Sequence, residues 1–171
     1  MRRVAEAGAI PAETERSAEP SQYLAFRLEG ETFAIRILVI REIIEHRPLT
    51  RVPMMPPWIC GVINLRGAAV PVVDLATRFG RSPTRVTKRT CIVIVDAPLG
   101  GASRPVGLVV DTVEAVLEIL PRDIEPVPAF GVKIDAELLA GVGKIEGRFV
   151  SLLNLDRVVA ARELDGAAAA G

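Results

Sequence analysis

Two segments of the chain, 61–75 and 141–155, align with each other without a gap. Their sequences are GVINLRGAAVPVVDL and GVGKIEGRFVSLLNL, and both place glycine at the first and seventh positions. In each segment two short apolar runs flank a glycine turn, which is the pattern of a β-hairpin. Each hairpin ends at a residue type that often caps a helix, Asp74 or Asn154. A chain that contains this unit twice is expected to form two related β units.

A second, weaker repeat supports the same division. The segment that begins at Phe33 aligns with the segment that begins at Val106. Its further matched positions are Ile40, Ile43 and Glu45 opposite Val113, Val116 and Glu118. Because small sheets of short strands usually close to remove their edges, we expect each unit to be a barrel of about five strands with a closing helix.

The two ends of the chain lack an apolar pattern. Residues 1–20 are rich in alanine, glutamate and proline, and the last residues are mostly alanine and glycine. Such segments bury too little apolar surface to offset the entropy cost of ordering. We expect a flexible leader over 1–20, one folded domain over 21–160 and a flexible tail over 161–171.

The clearest break inside the domain is the polar segment 81–89, RSPTRVTKR, after which the apolar pattern restarts at Cys91. We therefore place one unit approximately at 33–88. The other would contain 21–32 together with 89–160.

Composition and charge exclude several classes of function. Lys and Arg number 21, Asp and Glu also number 21, and both are scattered, so the chain has no overall basic field for nucleic acid. No apolar run approaches the roughly 20 residues that cross a bilayer, so we expect a cytoplasmic protein without membrane insertion.

The chain offers few groups for catalysis. His46 is the single histidine, and no metal-ligand spacing surrounds it. Cys60 and Cys91 lie beside or within apolar runs, which favours buried reduced thiols. Asp74 and Asp111 end apolar strands, where a helix cap and a turn explain them better than a catalytic pair does. We expect no enzymatic activity, no metal and no cofactor, and a function carried by the surface.

Five segments carry a resemblance to a known family. They are YLAFRLEGETFAI from 23, ILVIREI from 37, RVPMMPPWICGVINLRGAAVPVVDL from 51, PVGLVVDTVEAVLEI from 105 and LLAGVGKIEGRFVSLLNLDRV from 138. Together they resemble the CheW family of chemotaxis coupling proteins over about 22–159. The third segment, with its NLRG motif, is the most specific.

This resemblance implies a mainly β fold of two intertwined five-stranded SH3-like barrels with short helices. It also implies a non-catalytic adaptor that links methyl-accepting chemoreceptors to the histidine kinase CheA, whose regulatory domain has the same fold. The protein would be cytoplasmic and recruited to membrane-associated receptor arrays.

The resemblance also implies site residues. Those matching receptor-binding positions of the family are Ile37, Ile40, Glu42, Arg66, Cys91, Gly107, Val113 and Val116. Gly61 and Gly67 match the glycines that flank the motif. Arg36 departs from the family, which often has aspartate there, and makes this face more basic. For the aliphatic residues, burial in the core remains an alternative, because periodicity marks burial without naming the contact.

Two other functions stay open at this point. The adaptor could serve a histidine-kinase cluster that governs pili or development in place of flagella. Trp58 and Cys60 lie close together in the sequence and leave room for a small-ligand-binding barrel.

Overall fold

The computed structural model describes residues 19–99, 101–128 and 136–160, which form two β-sheets and a few short helices. The strands are β1 (Ser21–Leu28), β2 (Glu31–Arg36), β3 (Ile40–Glu45), β4 (Ile59–Leu65), β5 (Ala68–Asp74), β6 (Cys91–Leu99), β7 (Ala102–Val110), β8 (Thr112–Ile119), β9 (Ile124–Glu125), β10 (Leu139–Ile145) and β11 (Arg148–Leu153). The α-helices are α1 (Leu75–Arg78) and α2 (Leu155–Val158), and 3₁₀ turns cover Ile37–Val39, Pro121–Asp123 and Ala136–Leu138. The expected leader and tail lie outside the described residues, except for Glu19 and Pro20.

The sheets exchange strands between the two halves of the chain. One sheet has the order β3-β6-β7-β5-β4, and the other has the order β8-β1-β2-β11-β10-β9. The N-terminal hairpin β1–β2 therefore lies among strands of the second half, and the hairpin β6–β7 lies among strands of the first half. This arrangement confirms the mainly β class with two intertwined units, one of which gains the two-residue strand β9.

The two repeats occupy equivalent places in the two sheets. Val72 of β5 pairs in parallel with Gly107 of β7, and Leu152 of β11 pairs in parallel with Ala34 of β2. In the sequence repeats, Val72 corresponds to Leu152 and Gly107 corresponds to Ala34. The strands of the first repeat therefore pair with the strands of the second, weaker repeat in the same register in both sheets.

The turns of the repeated hairpins also match. Arg66 and Glu146 are non-glycine residues with φ of 51° and 50°, and Gly67 and Gly147 follow them with φ of 83° and 77°. Two consecutive residues with positive φ are typical of the tight turn that suits the twist of a hairpin. The turn geometry thus explains why the second glycine recurs.

The sheets divide the chain at other points than those expected for the two units. β2 stays with β1 because a turn at Glu29 and Gly30 joins them, so residues 33–36 belong to the six-stranded sheet. The polar segment 81–89 is not a boundary between sheets, because it connects α1 to β6 beside the same five-stranded sheet. Local polarity identified a loop correctly but could not identify the sheet that the next strand joins.

The two units share one hydrophobic core. Its largest cluster contains buried residues of both sheets, including Phe26 and Phe33 from the six-stranded sheet and Val93 and Leu108 from the five-stranded sheet. Burying one such side chain contributes about 1.5–3 kcal/mol, so separating the units would expose a large apolar area. We call this cluster the shared core.

Arg78, at the end of α1, holds the two units together on one side. Its Nε and Nη2 donate hydrogen bonds to the carbonyl oxygens of Val158 (2.9 Å) and Arg157 (3.2 Å), at the end of α2. Its guanidinium also lies 4.6 Å from the centre of the Trp58 ring. Arg78 therefore joins the helix that follows one repeated hairpin to the helix that follows the other.

Arg81 makes a second connection three residues later. Its guanidinium pairs with Glu29 (3.4 Å) and Glu31 (3.1 Å) at the β1–β2 turn, and it lies 5.9 Å from the centre of the Phe33 ring. The Arg81 side chain is only 14% exposed. Arg81 thereby fixes the connection between α1 and β6 to the six-stranded sheet.

We predict that Gly61→Ala destabilises the fold more than Gly67→Ala. Gly61 has a φ of 151°, and a Cβ there would lie 2.6 Å from the Thr50 carbonyl oxygen and 2.9 Å from the Leu49 Cβ. At Gly67 a Cβ would meet no atom within 4 Å, so only backbone strain of about 1–2 kcal/mol is expected. Urea denaturation of both variants measures the difference, and equal losses would contradict the steric explanation.

Candidate functional site

Arg66 lies at the tip of the β4–β5 hairpin, as its place before a turn glycine predicts. Its backbone adopts the left-handed conformation, and the side-chain oxygen of Asn64 accepts a hydrogen bond from the Gly67 backbone N–H at 3.1 Å. This bond closes the turn locally. The Arg66 side chain projects outward and is 76% exposed.

Arg66 forms a bidentate ion pair with Glu42. Nη1 donates to Oε2 at 2.5 Å and Nη2 donates to Oε1 at 3.0 Å. Glu42 lies on β3, at one edge of the five-stranded sheet, whereas β4 forms the other edge. The ion pair therefore connects the two edges, which requires the sheet to curl around on itself as a barrel does.

The ion pair shifts the pKa of both side chains. The hydrogen bonds from Arg66 lower the pKa of Glu42; partial burial opposes this, and the positive charges of Arg66, Arg41 and Arg47 add to the lowering. The same hydrogen bonds and the Glu42 charge raise the pKa of Arg66. The pair therefore contributes stability at pH values above the ordinary glutamate pKa, and this contribution is lost as the pH falls through the lowered pKa.

A cleft of about 200 Å³ lies beside the ion pair. It is lined by Arg41, Glu42, Leu65, Arg66, Ala68, Val70, Ile94 and Pro105, which come from all five strands of one sheet. Val70 and Ile94 form a buried apolar floor, and the charged residues form the rim. Pockets for small molecules usually measure about 300–1,000 Å³, so this cleft suits one side chain of a protein partner better than a metabolite.

The second unit has no equivalent of this ion pair. In the repeat, Glu146 occupies the place of Arg66, and Ala115 occupies the place of Glu42. The hairpin frame is the same in both units, including the positive φ at its tip. The arginine and the glutamate are therefore not requirements of the hairpin itself.

Four other predicted residues lie on the periphery of the shared core. Ile37, Ile40, Cys91 and Val113 are partly buried, and all four pack against the shared core. They come from four different elements: a 3₁₀ turn, β3, β6 and β8. The neighbouring Leu38 is 86% exposed. We call these five residues the junction surface.

The last two predicted residues, Val116 and Gly107, differ in solvent exposure. Val116, on the edge strand β8, is 51% exposed. Gly107 is buried, and a Cβ there would lie 2.7 Å from Cγ2 of Ile92 and 3.2 Å from Cγ2 of Val72. Gly107 thus allows strands to pack closely, and its burial does not fit the expectation of direct contact with a receptor.

Both cysteines are partly covered thiols. Burial raises the pKa of Cys60 to about 12, and its Sγ donates to the Val72 carbonyl oxygen at 3.5 Å. Burial, followed by the charge of Glu45, raises the pKa of Cys91. Neither thiol is therefore poised as a thiolate nucleophile. Trp58 packs against the shared core beneath Arg78, whereas Cys60 packs against a separate apolar cluster of the five-stranded sheet.

The candidate carboxylate pair serves the fold. Asp74 is a helix cap as expected: its Oδ1 accepts from the Ala76 N–H (3.2 Å) and the Thr84 hydroxyl (2.7 Å). Asp111 accepts a hydrogen bond from the Glu29 N–H at 2.8 Å and stabilises the β1–β2 turn. Each carboxylate therefore has a structural partner of its own.

Sequence reasoning missed several residues around the site. Arg41, Leu65 and Pro105 line the cleft, although none of them was singled out. Alternation along β3 and β4 could have indicated the first two, but only the parallel pairing of β7 with β5 brings Pro105 close. The polarity of the segment 81–89 predicts a loop but does not indicate which of its charges lack a partner.

The fold and the surface define a class of protein: two intertwined β units that carry an exposed ion pair and exposed apolar side chains, with no cluster of potential metal ligands among the described residues. Comparison with known proteins gives the family. Residues 22–163 match the CheW-like domain, and the chain belongs to this family of chemotaxis adaptors. Over the described residues, no helix is long and apolar enough to cross a membrane.

Individual relatives agree with this assignment. The chain is 37% identical to the chemotaxis protein CheW of Rhizobium meliloti over 85% of its own length and 92% of the relative's. It is 31% identical to the chemotaxis protein CheW of Bacillus subtilis, over 80% and 85% of the two chains. The crystal structure of the scaffolding protein TtCheW from Thermoanaerobacter tengcongensis superimposes with a TM-score of 0.75, at 30% identity, over 84% of this chain and 90% of that one.

We predict that Arg66→Gln raises the pKa of Glu42 towards its ordinary value, because the variant removes the charged donor that stabilises the carboxylate. NMR titration of the Glu42 side-chain carboxyl measures this shift. Arg148→Gln is the control, since it removes an exposed arginine of the other sheet. An unchanged Glu42 pKa in Arg66→Gln would show that the ion pair does not form in solution.

Proposed function

We propose that this protein is a non-catalytic adaptor that couples methyl-accepting chemoreceptors to a CheA-type histidine kinase. The observation that carries the proposal is the junction surface, a set of partly or fully exposed apolar side chains from both sheets, together with the exposed Arg66–Glu42 pair. The names of the relatives, chemotaxis protein and scaffolding protein, support the same role.

The receptor contact would be a helix lying on the junction surface. Ile37, Leu38, Ile40 and Val113 offer partly or fully exposed aliphatic side chains on the outside of the shared core. Such a surface complements the apolar stripe of an amphipathic helix, a common way for proteins to bind helical segments. The signalling tip of a chemoreceptor is the helical partner that family membership favours.

Arg66 would bind the partner while it remains paired with Glu42. A guanidinium has five N–H donors, and the bidentate pair uses two of them. The remaining donors face solvent on a side chain that is 76% exposed. They suit a carboxylate or a backbone carbonyl, and Glu42 would hold the guanidinium in one orientation for that contact.

The kinase contact would use another part of the same chain, so that receptor and kinase can bind at once. The regulatory domain of the kinase would pair with one of the two β units. A signal passes through such an assembly only if receptor conformations differ in their affinity for the adaptor or the kinase. The adaptor would act in the cytoplasm and join receptor arrays at the membrane.

The pathway follows from the identity of the kinase. A flagellar kinase and a kinase that governs pili or development would bind through the same fold, so co-purification of this chain from its own cells distinguishes them. Recovery of a CheA-type kinase and receptors supports coupling. Recovery of neither, at a bait concentration above that of the native protein, contradicts it.

We predict that Arg66→Ala weakens receptor binding roughly tenfold, since it removes a charged donor from the rim of the contact. Pull-down of receptor signalling fragments and receptor-stimulated kinase activity measure the effect. The control is Glu146→Ala, which changes the equivalent tip residue of the second hairpin. Equal coupling by both variants and the parent would remove Arg66 from the receptor site.

We further predict that the double variant Glu42→Arg with Arg66→Glu folds normally but does not regain receptor binding. The exchange preserves the ion pair, so the barrel edges stay connected, whereas the exposed donors of Arg66 are replaced by a carboxylate. Circular dichroism and thermal unfolding test the fold, and the same pull-down tests binding. Full binding by the exchanged variant would mean that the pair acts only on structure.

A further inference from the structure

The segment 82–89 is an ordered loop that presents positive charge. It connects α1 to β6 without regular secondary structure; we call it the basic loop. The side chain of Asp74 accepts hydrogen bonds from the N–H (2.9 Å) and hydroxyl (2.7 Å) of Thr84 near its start. At its end the Thr90 hydroxyl accepts from the Thr87 N–H at 2.8 Å. Arg81, which precedes the loop, is fixed to the opposite sheet.

Three cations of the basic loop have no counter-ion among the residues that the structure describes. Arg85, Lys88 and Arg89 are exposed, and their side chains form no ion pair or hydrogen bond within the described ranges. No aspartate or glutamate occurs between residues 75 and 95. Four other arginines, Arg27, Arg41, Arg66 and Arg81, each pair with a carboxylate. In a chain with equal numbers of acidic and basic residues, this unpaired cluster is a local segregation of charge.

The basic loop ends beside the junction surface. The Cys91 thiol donates to the Arg89 carbonyl oxygen at 3.3 Å, and the backbone of Val113 faces the same sulfur. Both Cys91 and Val113 belong to the junction surface. The end of the basic loop at Arg89 therefore lies beside the place where the receptor helix would lie.

Further charges around the loop leave this side positive. The backbone N–H of His46 donates to the Thr90 carbonyl oxygen at 3.1 Å, which brings the end of β3 against the end of the loop. The next residue, Arg47, is exposed, and its charge reaches Glu42. Glu45 is an acidic neighbour, since its charge acts on Cys91. On this side the chain therefore carries Arg85, Lys88, Arg89 and Arg47 against the single carboxylate of Glu45.

We propose that the basic loop is a cationic rim of the receptor-binding surface and binds acidic side chains that flank the apolar stripe of the receptor helix. This inference rests on the proposed function and adds the charge of the partner to it. Exposed charges at the rim of an interface mainly accelerate association and set its salt dependence, and they suppress partners of the wrong charge. A receptor helix with flanking lysine or arginine would be disfavoured.

The test compares two variants that lose the same charge. The first is Arg85→Gln/Lys88→Gln/Arg89→Gln, which neutralises the basic loop. The control is Arg122→Gln/Lys144→Gln/Arg148→Gln, which removes two arginines and one lysine from exposed positions near the six-stranded sheet. All six positions are exposed, and circular dichroism checks that both variants fold.

Binding of receptor cytoplasmic fragments from the organism that encodes the chain is measured by stopped flow from low to physiological ionic strength. We expect the loop variant to associate about tenfold more slowly at low salt, with a flatter salt dependence and a nearly unchanged dissociation rate. The control variant should associate like the parent.

The outcomes separate this inference from the proposed function. If the parent binds no receptor fragment, the coupling function fails and the inference fails with it. If the parent binds but the loop variant shows the same association rate and salt dependence, or the control loses as much, only the inference is overturned. If the loop variant loses binding to phosphatidylserine vesicles and keeps normal receptor kinetics, the loop is a lipid contact and the inference is also wrong.

Discussion

The parallel pairing between the two halves of the chain is the contact on which the rest of the structure depends. Val72 pairs with Gly107 in one sheet, and Leu152 pairs with Ala34 in the other. Each pairing inserts a hairpin from one half into the sheet of the other half. Because neither half can complete its sheet alone, the junction surface exists only in the intact chain. At the first pairing, Gly107 leaves room for the side chains of Ile92 and Val72, which a Cβ there would meet at 2.7 and 3.2 Å.

Local features of this fold could be predicted from the sequence, because their causes are local. The turn at Arg66 and Gly67 needs two positive φ values, and the cap at Asp74 needs a side-chain acceptor, so each leaves a signature within a few residues. The exchange of hairpins leaves no such signature. It depends on which strands meet across long sequence separations, and the expected unit limits at residues 33–88 therefore differ from the observed sheets.

The candidate site shows the same division. The outward position of Arg66 follows from its place before a turn glycine, whereas its partner Glu42 lies 24 residues away on the opposite edge of the sheet. Only closure of the sheet brings the two together. Gly107 illustrates the converse: resemblance placed it at the receptor surface, but a motif position carries no information about exposure. Because Gly107 has no Cβ, the side chains of Ile92 and Val72 can pack against its backbone.

The two units keep the same frame but carry different charges. Arg41 pairs with Asp96 across a bulge of β3, and at the equivalent bulge of β8, Glu114 pairs with Arg27. An ion pair recurs at this place with its signs reversed, so the fold accepts either orientation. A binding partner would distinguish the two orientations, because it would contact the exposed charges of the ion pair directly. Duplication of one frame with independent charges therefore gives a single chain two hairpin surfaces of similar backbone shape and different charge, and the proposed adaptor role, which joins unlike partners, would use that difference.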